Sequence, residues 1–548
     1  MNDKKIAVIA QCEPNGVSAI RPYIDALDIP QGYEVEMIEV HPDGNVADTY
    51  QRAMEASDAK YKVYLAPGNI LFRLNFFEEM LHIFAEDPAI GVMGLIGAKQ
   101  LSTKGLLAAS PFIKGRLLYA NDTVFRGEDI EGAMEDVMAV SGDLIATQYD
   151  IPWRRDLFHS NCFYAEAQCI EFRRRGYRSV VPRQDEAWML AGTKEVSYDE
   201  VSQEVFLDTY SKDIYPLVSI IIPTFERPHY FRLALESVLA QTYRNLDIFI
   251  TDNSHNTETA ELMRRDFSDD PRIQYEHHPS YGAYQNWARA RSYNNPDAAY
   301  VNWLMDDDLF MPDKISIMMD AFFANSDITL VTSYRECIDE NGNKLPDSPT
   351  TRSLAQEVTK FSGETIGTNM LVHMNCFVGE PTTVLLKKEF LLKGYDMGFS
   401  GKEGKYLISD FPMWLRLLSQ GNMVYFPMPL SKFRIHAGND QRSMTSRIRA
   451  IICWALSMRE AIECNIYLRD LSTQRKAILK WLSFTVNTLS MVETIPEFWE
   501  DTEFQDMLRV FVGMSNAICS DCRIDFDIDT TLVLQMISEE GKVVEVSY

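Results

Sequence analysis

Short apolar runs alternate with amphipathic helical patterns over roughly the first 190 residues. The spacing predicts strands at residues 6–10, 35–40 and 61–65, with helices at residues 45–57 and 76–85. Alternation of strands and helices favours a parallel sheet that is covered by helices. The sequence therefore predicts a first α/β domain over residues 1–195.

A second alternation of the same kind begins at Pro216. Residues 217–222 are apolar on both faces, which is typical of a strand buried in a parallel sheet. Further strands are predicted at residues 246–250 and 298–301, with helical patterns between them. Ligands of such sheets gather at the carboxyl ends of the strands. The sequence thus predicts a second α/β domain over residues 216–442.

The remaining segments show other patterns. Residues 196–215 are polar and acidic, and they predict a linker with some helix. Residues 443–548 carry apolar positions at helical spacing, for example Ile451, Met458 and Ile462. Such stripes form a core more often than a ligand site. A mostly helical C-terminal region is therefore expected.

Three adjacent carboxylates, Asp306, Asp307 and Asp308, lie between the strand at 298–301 and a helical pattern that opens at Pro312. Like charges in a row repel and raise one another's pKa. A divalent cation relieves that repulsion, and hard oxygen ligands suit Mg²⁺ or Mn²⁺. Taken alone, a run of three aspartates is also consistent with a solvated acidic turn. The strand before it and the helix after it favour the metal site instead.

The composition narrows the class of protein. The 548-residue chain has a net charge of −26 and no block of lysine or arginine, so nucleic acid is not an expected partner. Nine scattered cysteines suit a reducing compartment, and the first residues do not have the pattern of a signal peptide. No apolar run reaches the roughly 18 residues of a membrane span. We therefore expect a cytoplasmic protein without a transmembrane segment.

Several segments of the second domain resemble family 2 glycosyltransferases of the GT-A fold. Residues 218–227 are similar to the opening strand, whose end (Pro223, Thr224, Phe225 and Glu226) cups the nucleotide base. Residues 236–243 are similar to the helix that follows. The turn at Asp252 looks like the one whose aspartate contacts uracil, and residues 282–287, which include Asn286, resemble the helix start under the diphosphate. The resemblance extends from residue 216 to about residue 442.

The aspartate turn resembles the Asp-X-Asp metal motif of that family, with one departure. Counting back from Pro312, the first acidic position falls on Met305. The resemblance implies that Asp307 is a metal ligand and that Asp306 contacts the ribose. Asp308 remains possible as a further metal ligand.

Two later residues complete the implied site. Asp410 precedes an aromatic helix, where the family places its catalytic base; aspartate there is also a favoured helix cap. His436 follows a basic strand end, where a family histidine joins the metal or the diphosphate, although a lone histidine is more often structural.

The first domain resembles a glycosyltransferase-like domain that has lost its acidic residues. Residues 66–68 (Ala-Pro-Gly) stand where an acidic turn is usual, and residues 161–165 stand where later carboxylates are usual. Asp143 is the best surviving polar candidate, although an aspartate in such a position is more often only a turn residue. We interpret this domain as degenerate, with a structural or acceptor-binding role.

Together the resemblances imply two GT-A-like nucleotide-sugar transferase domains with Rossmann-like, parallel-rich sheets. They also imply an inverting, metal-dependent transfer, with Mn²⁺ or Mg²⁺, from a UDP-sugar to a hydroxyl of a glycan or glycoprotein, as in bacterial surface-glycan or glycoprotein synthesis. Alternatives are another nucleotide sugar, a nucleotidyltransferase, or a binding protein without catalysis. The sugar, the acceptor and the oligomeric state stay open.

Overall fold

A computed structural model describes residues 1–12, 20–41, 45–119, 124–192, 199–348, 351–393, 405–407, 410–436, 443–492, 499–531, 533–537 and 543–547. The chain divides into two compact units, Met1–Tyr215 and Pro216–Tyr548. The predicted linker at 196–215 contributes a helix, Glu200–Ile214, to the first unit. The C-terminal helices belong to the second unit.

The first unit is a mixture of strands and helices. Its strands are β1 (Asn2–Gln11), β2 (Glu34–Val40), β3 (Ala59–Leu65), β4 (Ile70–Leu71), β5 (Ile90–Gly94), β6 (Ile96–Ala98), β7 (Ile113–Tyr119), β8 (Val124–Arg126), β9 (Met134–Val137), β10 (Ala139–Val140), β11 (Leu144–Thr147), β12 (Arg178–Pro182) and β13 (Met189–Ala191). Its helices are α1 (Arg21–Ile24), α2 (Val46–Ala56), α3 (Phe76–Glu86), α4 (Tyr164–Arg174) and α5 (Glu200–Ile214).

Parallel strands begin the main sheet of this unit. The strand order is β2-β1-β3-β11-β5-β12-β9. Strands β2, β1 and β3 are parallel, β11 is antiparallel to both of its neighbours, and β5 and β12 are again parallel. A second, smaller sheet has the order β10-β6-β7-β13-β4. The three strands and two helices predicted here are therefore confirmed.

The second unit contains the longer sheet. Its strands are β14 (Leu217–Thr224), β15 (Leu246–Asp252), β16 (Ile273–His277), β17 (Ala298–Trp303), β18 (Leu309–Phe310), β19 (Ile328–Ile338), β20 (Thr359–Phe361), β21 (Leu385–Lys387), β22 (Asn422–Arg434), β23 (Val533–Ile537) and β24 (Val543–Ser547). Its helices are α6 (Pro228–Leu239), α7 (Glu258–Asp266), α8 (Ala283–Ser292), α9 (Lys314–Ala324), α10 (Gly363–His373), α11 (Lys388–Lys393), α12 (Asp410–Leu418), α13 (Met444–Glu463), α14 (Leu471–Val492) and α15 (Thr502–Ile518).

The sheet of the second unit runs β16-β15-β14-β17-β21-β19-β22-β18. Its first four strands are parallel, so the carboxyl ends of β14, β15 and β17 lie at one edge. The predicted α/β class with parallel-rich sheets is confirmed. The polar residues at the ends of these strands include the site residues that the sequence predicts, among them Thr224, Asp252 and Asp306.

Strand β14 differs from its prediction at Pro223. The sequence predicts a break there, whereas the strand continues to Thr224, with Pro223 opposite Thr251 of β15. The pairing with β17 ends at Ile221, so the last part of β14 has a strand neighbour on one side. Proline is tolerated at such an edge because its missing N–H leaves no ladder bond unmade.

The C-terminal helices share a hydrophobic core with the sheet. Buried side chains of α13, α14 and α15 belong to one cluster with Trp303 of β17 and Trp414 of α12. Trp481 of α14 is fully buried, and its indole N–H donates to the carbonyl of Ile451, 2.8 Å away. None of the helices in the described ranges is long and apolar enough to cross a membrane.

Candidate active site

The first aspartate of the acidic turn lies over the end of β14. Thr224 Oγ1 donates to Asp306 Oδ2 over 2.9 Å, and the backbone N–H of Phe225 donates to the same oxygen over 3.2 Å. Asp306 is 7% exposed. Burial, and then the neighbouring Asp307 charge, raise the pKa of Asp306 to about 6. The strand ends of β14 and β17 therefore meet at this carboxylate.

The second aspartate meets a histidine from far along the chain. His436 Nε2 lies 2.9 Å from Asp307 Oδ2, and Arg227 Nη1 lies 3.1 Å from the same oxygen. The contact follows from a short strand that the sequence pattern does not reveal. Strand β18 pairs antiparallel with β22, opposing Leu309 to Lys432, and this brings the residues after β22 to the turn.

The third aspartate faces the interior. Asp308 Oδ2 accepts from the hydroxyl of Thr382 over 2.6 Å, and Asp308 Oδ1 accepts from the backbone N–H of Arg434 over 2.9 Å. Its side chain is fully buried, and burial followed by the Asp307 charge raises its pKa well above the usual range. Asp308 thus ties the turn to β22, and both of its carboxylate oxygens already have partners.

Asp410 is the first residue of α12 and is partly buried. Burial, and then the charge of Glu380, raise the pKa of Asp410 to about 6. The charge of Glu380 also contributes to the raised pKa of Asp308, after burial and the Asp307 charge. Arg335 holds Glu380 through two contacts, Nε to Oε2 at 2.8 Å and Nη2 to Oε1 at 2.9 Å. The Glu380–Arg335 pair therefore links the acidic turn to the predicted base.

The end of β15 is tightly hydrogen-bonded. Asp252 is fully buried, and its carboxylate accepts from the hydroxyl of Tyr275 over 2.6 Å and from the backbone N–H of Ser254 over 2.8 Å. Asn286 accepts from the hydroxyl of Thr251 over 2.7 Å and donates to the Thr251 carbonyl over 3.2 Å. Both predicted nucleotide-binding residues thus also fix the ends of the strands.

The loop after β14 offers an exposed aromatic surface. Phe225 is 41% exposed, and its ring lies 5.4 Å from the ring of His255. Glu226 has a φ of 50°, an unfavourable region for a residue with a side chain. Its backbone N–H donates to Ser254 Oγ over 2.8 Å, and its carboxylate lies 2.9 Å from His255 Nδ1. These contacts hold Phe225 and Glu226 against the residues that follow β15.

The donor atoms at Asp307 and His436 fit a divalent cation. A carboxylate oxygen and an imidazole nitrogen are ligand types that divalent cations accept; here the two atoms lie at a hydrogen-bond distance of 2.9 Å, and Arg227 donates to the same Asp307 oxygen. The described residues contain no group of three or more His, Cys, Asp or Glu side chains already arranged around a common point. Asp307 and His436 would be the protein ligands of such an ion.

Sequence reasoning missed Arg227, Thr382, Arg434 and the Glu380–Arg335 pair. Arg227 follows the opening strand and Glu380 lies in the loop before β21, so the sequence pattern locates both residues next to predicted strands. The sequence pattern does not identify the partners of these residues, because each contact joins residues that are distant along the chain.

In the first unit, the turn after β3 lacks carboxylates. Asp143 uses its backbone carbonyl to accept from the N–H of Ala66 over 3.2 Å and from Asn69 Nδ2 over 2.9 Å. Ser141 Oγ donates to the Asp143 side chain over 2.9 Å. These bonds fit a turn aspartate, the alternative that the sequence left open. Glu166 on α4 is a carboxyl that sequence reasoning did not single out; burial raises its pKa to about 7.

Two family profiles match successive parts of the chain. Residues 8–210 match the family described as "Glycosyltransferase like family", and residues 219–391 match "Glycosyl transferase family 2". The predicted resemblance is confirmed over these residues, and the family 2 match ends before Asp410 and His436.

Individual relatives cover parts of the chain. An uncharacterised glycosyltransferase of Rickettsia typhi is 28% identical over 235 residues, which are 42% of this chain and 66% of the relative. The GalNAc(5)-diNAcBac-PP-undecaprenol β-1,3-glucosyltransferase of Campylobacter jejuni is 25% identical over 158 residues, 27% of this chain and 50% of that protein. The chain thus spans two thirds or less of the length of these relatives.

Among solved structures, the chain is similar to residues 1–349 of S. aureus TarS in complex with UDP-GlcNAc. The identity is 12%, the TM-score is 0.39, and the alignment covers 55% of this chain and 81% of that one.

Proposed function

We propose that the second unit, part of which matches family 2 glycosyltransferases, is an inverting, metal-dependent glycosyltransferase. It moves a sugar from a UDP-sugar to an acceptor hydroxyl. The degenerate first unit has a structural or acceptor-binding role and does not transfer sugar.

One observation carries the proposal: the pairing of Asp307 with His436 at the strand edge where Asp306 meets Thr224. A lone acidic turn needs no histidine beside it. An oxygen and a nitrogen donor side by side, at the carboxyl ends of parallel strands, suit a metal-bound diphosphate.

Each side chain has a distinct part in the proposed reaction. Phe225, Glu226 and Asp252 border the nucleotide base, and Asp306 accepts from a ribose hydroxyl. Asp307 and His436 hold Mn²⁺ or Mg²⁺, which as a Lewis acid would stabilise the charge of the departing UDP. Asp308 keeps the turn in place through its bonds to Thr382 and Arg434.

Asp410 acts as the general base. Its carboxylate takes the proton of the acceptor hydroxyl while that oxygen forms a bond to the anomeric carbon and the bond to the UDP oxygen breaks. Attack opposite to the leaving group inverts the anomeric centre. A carboxylate with a pKa of about 6 is a stronger base than a solvated aspartate and is still mostly ionised at neutral pH.

A glycan or a glycoprotein is the proposed acceptor, in bacterial surface-glycan or glycoprotein synthesis. The Campylobacter relative, whose name includes an undecaprenol-linked glycan, supports a glycan acceptor. The proposed compartment is the cytoplasm, where UDP-sugars are made.

The proposal is tested by measuring UDP release from a panel of UDP-sugars with Mn²⁺ or Mg²⁺ and candidate glycan acceptors. The intact chain is compared with Asp307→Ala, Asp410→Asn and the control Asp327→Asn. Asp327 precedes β19 at the opposite end of the sheet and pairs with Lys360. We expect one donor to be turned over, with the rate strongly reduced in both site variants and unchanged in the control.

Binding separates the two site variants. Calorimetry with UDP and Mn²⁺ should show binding to Asp410→Asn and a large loss of affinity in Asp307→Ala. If UDP binds with metal but no donor is consumed, the chain is a nucleotide-binding protein without catalysis. Release of pyrophosphate in place of UDP would identify a nucleotidyltransferase.

A further inference from the structure

We propose that the exposed side of α14 (Leu471–Val492) is a docking surface for membranes that carry anionic lipids. This inference goes beyond sugar transfer and does not depend on it. Its test needs neither a donor nor an acceptor.

Large apolar side chains are exposed along the whole of α14. Leu471 is 39% exposed, Leu479 55%, Val486 48% and Met491 49%. The opposite side of the same helix, which includes Ala477, Ile478 and Trp481, is fully buried in the core. The helix therefore stays anchored in the protein while it presents apolar groups to solvent.

Most of these exposed groups lie on one side of the helix. At 3.6 residues per turn, Leu471, Leu479 and Val486 fall within about 80° of one another around the helix axis. The partly exposed Leu482 and Leu489 fall in the same sector. We call these five leucine and valine residues the apolar strip. It runs along the length of the helix beside the buried face.

Positive charge lies within and beside the apolar strip: Arg475 falls inside its sector, and Lys476 and Lys480 fall about 60° and 100° past one edge. The 22 residues of α14 include Arg475, Lys476 and Lys480 and no aspartate or glutamate, although the whole chain has a net charge of −26. Neither Lys476 nor Lys480 forms an ion pair within the described part of the chain. Asp470, directly before the helix, accepts from the backbone N–H of Thr473 and interacts with Lys476. The helix itself carries positive charge alone, which an anionic membrane attracts.

The pattern fits a lipid surface better than a second copy of the chain. In a two-fold contact the same patch faces itself, so the cations of both copies would approach each other with no carboxylate on α14 to offset them. Anionic headgroups neutralise the lysines, and the acyl region below them accepts leucine and valine. Apolar residues that share an exposed helix surface with Lys and Arg are typical of helices that lie in the membrane interface.

The test is co-sedimentation of the full chain with vesicles of phosphatidylcholine alone or mixed with phosphatidylglycerol. Three variants are compared: Lys476→Gln with Lys480→Gln, Leu479→Ser with Val486→Ser, and the control Val201→Ser. Val201 is 73% exposed on α5, outside the proposed surface. Circular dichroism and the melting temperature report whether each variant keeps its fold.

We expect binding to the anionic vesicles that weakens with added salt. The double lysine variant should lose about 30-fold in affinity, because each basic residue near an anionic surface contributes about fivefold. The apolar variant should lose about tenfold or more. The control should bind as the unchanged chain does.

Four results would overturn the proposal. One is no binding to anionic vesicles, and another is equal binding to both vesicle types. The third is a dimer, measured by light scattering, that dissociates in Leu479→Ser with Val486→Ser, since α14 would then be an interface between copies. Binding that survives both double variants would also place the membrane contact elsewhere.

Discussion

At the scale of single residues, the raised pKa of Asp410 makes the proposed reaction depend on pH. The base works as a carboxylate, so protonation below a pKa of about 6 removes it. We expect kcat to be nearly constant above pH 7 and to fall tenfold per pH unit well below pH 6. A pH profile of UDP release at saturating donor and acceptor measures this.

Replacing the base gives the control for that profile. Asp410→Asn should lower kcat by about 10²–10⁴-fold, because an amide cannot take the proton. The small remaining rate should lose the acid-side dependence. An unchanged profile in this variant would assign the titration to another group and remove Asp410 from the base role.

Glu380 provides a second prediction at the residue scale. Its charge is one cause of the raised pKa of Asp410. Glu380→Gln removes that charge and leaves the Arg335 cation without its carboxylate, so the pKa of Asp410 should fall. The acid limb of the profile should move to lower pH, while kcat at pH 7 decreases less than tenfold. A shift toward higher pH would contradict the electrostatic role given to Glu380.

At the scale of elements, the C-terminal helices fix both sides of the start of α12. Before Asp410, the hydroxyl of Tyr406 donates to Asp506 of α15 over 2.8 Å. After Asp410, the ring of Phe411 packs on Trp454 of α13, with centroids 3.8 Å apart. Two helices that lie outside the family match therefore hold the proposed base in position.

Tyr406→Phe tests this coupling between elements. The variant keeps the ring and removes the hydrogen bond, at a cost of about 1 kcal/mol of unfolding free energy. We expect a lower kcat with unchanged UDP affinity, because α12 loses one restraint while the nucleotide contacts remain. Tyr149→Phe, which removes a comparable 2.8 Å bond to Pro88 in the first unit, is the matched control. Equal kinetics in the two variants would limit the Tyr406 bond to a structural role.

At the scale of the whole molecule, the C-terminal helices and the sheet of the second unit share one hydrophobic cluster. A shared core predicts that they unfold together and not as separate domains. The sequence pattern divides the chain at residue 442, whereas the structure keeps residues 216–548 in one unit. Stability measurements distinguish these two descriptions.

The variant Trp481→Ala tests whether the C-terminal helices unfold together with the sheet of the second unit or independently of it. Removing a fully buried indole should lower the free energy of unfolding by about 3–5 kcal/mol. If the core is shared, UDP with metal should raise the melting temperature of this variant, because the ligand site unfolds in the same transition. A transition of α13–α15 that UDP does not shift would instead show that the helices unfold independently.

The sequence by itself determined the main parallel strands of the second unit and the place of its acidic turn. Continuous apolar runs identify β14, β15 and β17, because strands covered on both faces leave no polar alternation. The acidic turn at Asp306–Asp308 is visible because it directly follows such a strand. Local patterns of this kind depend on neighbours along the chain, which the sequence contains.

Only the tertiary structure decided which of these residues meet. The pairing of β18 with β22 brings His436 to Asp307 across more than a hundred residues, and no local pattern encodes a two-residue strand. The same is true of the Glu380–Arg335 pair and of the bonds that occupy Asp308. Hydrogen bonds and charges act over a few ångströms in space, so their partners follow from how the sheet and helices pack and not from spacing in the sequence.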